Sequence, residues 1–168
     1  RPNVSVCVVT DRSDLFQSYP IRVLQLTPEQ INKWSLEGIQ HFGIKLKSLE
    51  LAMRSSASEK TILLDADTYW VRDPLSIAAK IRKKSSVMFL DEGPIHKTKN
   101  ESINRFNESL ANTKLNINGF EYQLNPSSRM LNSTIIGLHI DDIEILDSAF
   151  KLFTAIEPLV NAHTVEQF

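Results

Sequence analysis

Two aspartates one residue apart, Asp65 and Asp67, close the run TILLDAD (61–67). Four strand-forming residues lead into them, and Thr68, Tyr69 and Trp70 follow at once. The end of a buried strand is a poor place for two bare carboxylates, because like charges repel and burial disfavours their charged forms. A divalent cation relieves both problems. Mg²⁺ or Mn²⁺ takes hard oxygen ligands and commonly binds through one or two carboxylates plus substrate phosphates. In a strand, residues two apart point the same way. Asp65 and Asp67 can then share one ion, and the small Ala66 between them lets a large ligand approach the backbone. A cation held there neutralises a diphosphate as it departs. The plainer reading is an Asx turn with solvated acids.

The elements that must position this pair alternate along the chain. VSVCVVT (4–10) is a continuous β-branched run, the pattern of a strand buried on both faces. IRVLQL (21–26) reads as a second strand. TPEQ (27–30) starts a helix, with Thr27 as N-cap, Pro28 at the first position and Gln30 closing a capping box. HFG (41–43) interrupts the chain, and 44–56 carries apolar residues at a mostly helical spacing. After the TILLDAD strand, RDPLSIAAKIRKK (72–84) reads as a helix capped by Asp73, with KIRKK as its solvated last turn. SSVMFL (85–90) is a strand, and 91–130 is polar and irregular apart from a helix near 101–112. STIIGLHI (133–140) is a strand, and 141–156 a capped amphipathic helix. Strands alternating with helices predict an α/β fold, a Rossmann-like, mostly parallel sheet with helices on both faces. Ligands of such sheets bind outside the carboxyl ends of the strands, where Asp65 and Asp67 fall.

Composition bounds the partners. A chain of 168 residues with 42% hydrophobic and 23% charged residues suits one domain with its own core. A net charge of −1 offers no global field for nucleic acid or acidic membranes. No apolar stretch is long enough to cross a bilayer. The single cysteine, Cys7, forms no internal disulfide and gives no support to oxidising export. The expected location is therefore the cytoplasm, with peripheral membrane association left open. The sequons at Asn3, Asn100, Asn107 and Asn132 are weak signals, since Asn3 and Asn132 adjoin strands.

KTILLDADTYWVRDP (60–74) resembles the metal-binding segment of GT-A-fold glycosyltransferases, in the family 8 and α-mannosyltransferase-like branches of the nucleotide-diphospho-sugar transferases. Other segments match in order. VCVVTD (6–11) resembles the first strand that cradles base and ribose. GIKLKSLELA (43–52) resembles the helix whose basic residue reaches the phosphates. MLNSTIIGL (130–138) resembles the strand lining the sugar and acceptor site, and HTVEQF (163–168) the segment near the reacting sugar carbon. The resemblance implies metal-dependent transfer of a sugar from a UDP- or GDP-sugar to an acceptor hydroxyl, with retention and without a dedicated general base. The acceptor, whether glycan, lipid or protein, is not coded. Such domains run longer, so the resemblance implies a single domain over 1–168 that is incomplete at its C-terminal end.

By the same resemblance Asp65 and Asp67 ligate the cation, with Ala66 between them against the donor. Thr10 and Asp11 contact base and ribose. Lys45 pairs with phosphate as a point charge, with Lys47 as its competitor. Asn132 hydrogen-bonds the sugar or acceptor, and Glu166 and Gln167 flank the reacting carbon. Plainer readings stand beside these: a turn for Asp11 and Asn132, a solvated face for Lys45, an uninvolved His163, and packing against the next helix for Tyr69 and Trp70 rather than stacking on a base or sugar. The family carries Gly where this chain has Thr134, and its third ligand is a His beyond the E-Q segment.

LLDADT also resembles the first motif of haloacid-dehalogenase-type phosphatases. Asp65 would then be a nucleophile, Asp67 a general acid, and Asp141 with Asp142 would hold Mg²⁺. Residues 1–64 precede the motif here, and Thr68 stands where that family has Gly. A non-catalytic nucleotide-sugar-binding module is the third reading.

Overall fold

A computed structural model describes residues 4–95, 101–111, 113–125 and 127–160. The chain divides into two compact units, Arg1–Ala57 and Ser58–Phe168.

In the first unit, strand β1 (Cys7–Thr10) pairs in parallel with β2 (Arg22–Gln25), Val8 opposite Val23 and Thr10 opposite Gln25. The β-branched run is shorter and less buried than its composition suggests, since Val4 and Val6 are exposed and Val8 and Val9 half-buried. Helix α1 (Pro28–Trp34) begins as its sequence dictates: Thr27 accepts from the Gln30 amide, and the Gln30 side chain accepts from the Thr27 amide. Helix α2 (Phe42–Arg54) starts two residues earlier than the apolar spacing predicts and buries Leu46, Leu49 and Met53 on one stripe. Each such side chain contributes about 1.5–3 kcal/mol by burial. That outweighs the few tenths expected of the Lys47–Glu50 and Glu50–Arg54 pairs on the same helix.

The second unit holds a three-stranded sheet in the order β3–β7–β4, from β3 (Lys60–Leu64), β4 (Val87–Pro94) and β7 (Arg129–His139). Both pairings are antiparallel, Leu64 opposite Ile135 and Met88 opposite Ile136. The mostly parallel sheet is therefore corrected: among the described residues, only β1 and β2 pair in parallel. The βαβ logic survives in part. Strands β3 and β4, joined through the short helix α3 (Leu75–Ala78), run in the same direction. The later strand β7 inserts between them and turns every hydrogen-bonded pairing antiparallel.

One face of this sheet closes tightly. Gly137 stands opposite both Ile62 and Val87. A Cβ there would meet Ile81 Cδ1 at 2.7 Å, and Ile81 is fully buried. Residues 80–84 are not the last turn of a helix: α3 ends at Ala78, and Arg82 and Ser85 exchange hydrogen bonds across a tight turn in which Lys84 takes φ 62°.

Residues 91–130 carry more order than their polarity suggests. Helix α4 (Glu101–Leu110) meets the expected helix near 101–112. A hairpin of β5 (Lys114–Ile117) and β6 (Phe120–Gln123) follows. Its two-residue turn is Asn118–Gly119, both with positive φ, the type I′ geometry that Asn-Gly adopts most readily. The final helix α5 (Glu144–Val160) anchors this turn, because Lys151 and Ser148 both hydrogen-bond the Asn118 amide group.

Candidate metal and donor site at the end of strand β3

Strand β3 ends at Leu64, so the two aspartates do not share a strand face. Asp65 still belongs to the sheet, its amide donating to the Thr134 carbonyl at 3.1 Å. The chain then turns. The Thr68 amide donates to the Asp65 carbonyl at 3.1 Å, and the Thr68 hydroxyl donates to the same oxygen at 2.6 Å. Asp, Ala, Asp and Thr suit a β-turn, and the threonine hydroxyl closes it. Period-two geometry therefore does not relate Asp65 to Asp67; a turn does. Asp65 is half-buried, while Ala66 and Asp67 are exposed, so the expected pair of desolvated acids is half realised.

A cavity of about 300 Å³ opens beside the turn, lined among others by Asp67, Thr68, Tyr69, Trp70, Phe89 and Thr134. Tyr69 is 84% exposed and Phe89 55%, so Tyr69 does not pack into the next helix as the plainer reading has it. Asp73 is not the N-cap of α3, a position Pro74 takes without a side-chain cap; one residue before it, Asp73 closes a turn by accepting from the Leu75 amide at 2.9 Å.

The antiparallel strand β7 brings Asn132 to this same end of the sheet. Its amide oxygen accepts from the Thr134 amide at 3.0 Å, and its Nδ2 donates to Glu92 Oε1 at 3.0 Å. Asn132 is thus held by the fold on two sides. Glu92 reaches it because β4 is irregular there: Asp91 opposes Leu131 and Gly93 opposes Met130, leaving Glu92 as an extra residue. Gly93 supplies the φ of 97° that this bulge requires. Asp91 secures it, accepting from the Gly93 amide and from Arg129 Nε at 2.6 Å. The Arg129 guanidinium, and after it the Gly93 amide, hold the Asp91 carboxyl below the ordinary carboxylate range. Reading by motif misses Asp91, Glu92 and Phe89. The LDEG run (90–93), an acid pair before a glycine at a strand's end, is the signal that marks the two acids.

The chemistry of the donors decides which ion fits. Among the described residues no group of three His, Cys, Asp or Glu side chains could hold a metal ion. Two carboxylates on one turn do not make a tetrahedral zinc centre. They do suit Mg²⁺ or Mn²⁺, which keep waters or substrate phosphates as further ligands.

The acid pair required by the phosphatase reading lies elsewhere. His139 stands opposite Lys60, at the far end of β3 from Asp65. Asp141 and Asp142 follow it, about 16 Å of strand away. There Asp142 accepts from the Lys84 amide at 2.7 Å and Asp141 pairs with Lys83 at 3.1 Å. Neither can share an ion with Asp65.

Thr10, Asp11 and Lys45 belong to the first unit. Thr10 ends β1, at the carboxyl end of its parallel pair, and its hydroxyl accepts from the Arg12 amide at 3.0 Å. Asp11 is exposed in the bend that follows. Lys45 is half-buried on α2, and its competitor Lys47 is engaged with Glu50 at 2.5 Å. Glu166, Gln167 and His163, like Asn3 and Asn100, lie outside the described residues. Asn132 donates to Glu92 from within β7. Among the described residues, no helix is long and apolar enough to cross a membrane.

No family model matches the chain, and neither a curated protein nor a solved structure matches it.

Proposed function

We propose that this chain is the donor-binding, catalytic part of a glycosyltransferase, moving a sugar from a UDP- or GDP-sugar to an acceptor hydroxyl. The observation that carries the reading is a juxtaposition. The two resembling segments, 60–74 and 130–138, meet through the Asp65–Thr134 hydrogen bond, and residues of both, Asp67 and Thr134 among them, line one cavity. A GT-A arrangement, in which further strands extend the sheet in the Rossmann-like manner, is the finer fold that this reading implies.

Asp65 and Asp67 would hold Mn²⁺ or Mg²⁺. When bound, the ion supplies positive charge to the diphosphate that leaves, the largest stabilising effect open to such an enzyme. The chain's own residues do the rest. Asn132, clamped by Glu92 and the Thr134 amide, presents its remaining amide hydrogen in a fixed direction and so orients a bound hydroxyl. Lys45 contributes charge to the phosphates, Thr10 and Asp11 contact base and ribose, and Glu166 and Gln167 flank the reacting carbon, as the resemblance implies.

The test is hydrolysis of UDP-glucose, UDP-galactose, UDP-N-acetylglucosamine and GDP-mannose by the intact chain, with Mn²⁺ and with EDTA, beside p-nitrophenyl phosphate. Cleavage of one nucleotide sugar that needs Mn²⁺ is expected. Phosphate release from p-nitrophenyl phosphate without sugar-nucleotide cleavage would replace the reading by the phosphatase. Nucleotide-sugar binding without any cleavage would leave a binding module.

A further inference from the structure

The cavity beside Asp67 has walls that a metal and a diphosphate do not need. Tyr69, Trp70 and Phe89 line it and are respectively 84%, 36% and 55% exposed. Large aromatic rings usually bury their area, because each removes 150–250 Å² from water when covered. Here three of them face outward around one opening, with a carboxylate from Asp67 and the threonines Thr68 and Thr134 in the same lining. Flat apolar faces interleaved with hydroxyls and a carboxylate match one ligand chemistry well. A pyranose ring offers a C–H face to the negative face of an aromatic ring, and its hydroxyls seek oxygen partners at the edge.

Local charge separates this from a bilayer surface. The run 65–73 carries Asp65, Asp67 and Asp73 against Arg72, and Asp91 and Glu92 follow Phe89 closely. Segments that lie on anionic membranes are rich in Lys and Arg, the reverse of this balance. The rings also sit on fixed backbone. The Asp65–Thr68 turn precedes Tyr69, the hydrogen bond from the Leu75 amide to Asp73 follows Val71 and Arg72, and Phe89 lies on β4.

We propose that Tyr69, Trp70 and Phe89 form a stacking subsite for a sugar ring of a carbohydrate acceptor, an inference that rests on the transferase reading and names its acceptor class. The intact chain is titrated with maltotetraose, chitotetraose and mannotetraose, by calorimetry and by saturation-transfer NMR, in Mn²⁺. At least one tetrasaccharide binds, and saturation reaches it from aromatic protons. A Tyr69→Ala/Trp70→Ala double variant loses at least tenfold in that affinity, whereas Tyr69→Phe, which keeps the ring, stays within threefold. Circular dichroism verifies the fold of each variant. No binding of any tetrasaccharide, or equal binding by the double variant, overturns the subsite. So does a tenfold fall in UDP affinity in the double variant, which would give the rings to the nucleobase. So too does Tyr69- and Trp70-dependent sedimentation with vesicles of phosphatidylcholine and phosphatidylglycerol. Donor cleavage by the wild-type chain is scored separately. Cleavage without glycan binding sinks the subsite alone, and glycan binding without cleavage sinks the transferase reading alone.

Discussion

The amide of Asp65 donates to the carbonyl of Thr134 at 3.1 Å, so the first acid of the D-x-D pair, one residue past the end of β3, is still held by the neighbouring strand. Beyond it the chain is free of the sheet and turns. The consequence is a division of labour between two chemically identical residues. Asp65 is fixed by the fold, and Asp67 is presented by the turn.

Replacing Asp67 therefore separates stability from binding. Asp67 is exposed, so Asp67→Ala changes stability by no more than about 0.5 kcal/mol. On the proposed metal role, UDP affinity in Mn²⁺ falls by at least tenfold, because the variant removes one of the two hard-oxygen ligands that role assigns. Calorimetry in Mn²⁺ and in EDTA measures both states. Equal UDP affinity for variant and wild type in Mn²⁺ removes the metal role from Asp67.

Lys45 and Lys47 sit two residues apart on α2, where Lys47 pairs with Glu50 at 2.5 Å. Lys45→Ala is expected to weaken UDP binding severalfold while leaving uridine nearly untouched, as a point charge on phosphate requires. Parallel titrations with UDP and uridine decide the matter. Equal losses for both ligands assign Lys45 to packing.

Gly137→Ala probes the seam of the second unit. The added Cβ would meet Ile81 Cδ1 at 2.7 Å, Ile81 Cγ1 at 3.0 Å and Val87 Cβ at 3.3 Å. Ile81 is fully buried and β-branched, so it yields little. Overpacking of this kind costs about 1–3 kcal/mol. Urea denaturation shows the loss, and adding Ile81→Val recovers part of it. A double variant whose losses simply add would show that the two side chains do not meet.

Glu50 makes the first unit sensitive to acid. Burial alone would raise its carboxyl, but hydrogen bonds from Lys47 and Arg54 together outweigh that and hold it below its ordinary value of 4.5. A group lowered on folding contributes stability above its unfolded value and loses it as pH falls through the folded one. Glu50→Gln is thus expected to be less stable than wild type by roughly 0.5 kcal/mol at pH 7, the few tenths of each of its two helix pairs taken together. The gap narrows progressively once pH drops below 4.5. Thermal melts at pH 7, 5, 4 and 3 follow it. A gap independent of pH would assign the effect to shape rather than charge.

Features written within a few residues of one another are legible in the amino-acid sequence alone. The capping box of Thr27 and Gln30, the buried stripe of α2 and the strand preceding Asp65 all follow from spacing that the local backbone obeys. The Asn118–Gly119 hairpin is equally local, but the polarity around it reads as irregular chain and hides it. Partnership is a different matter. Alternating strands and helices set β3 and β4 running the same way, yet nothing in 60–94 announces that residues 129–139 enter between them. Strand pairing is settled by long-range contacts that no local pattern records. That insertion is what brings Asn132, Thr134 and the Glu92 bulge to Asp65. Likewise the D-x-D residues are plain as letters, but only the folded chain reveals a strand that ends at Leu64, three residues early. Backbone hydrogen bonding, not side-chain type, chose where strand gave way to turn.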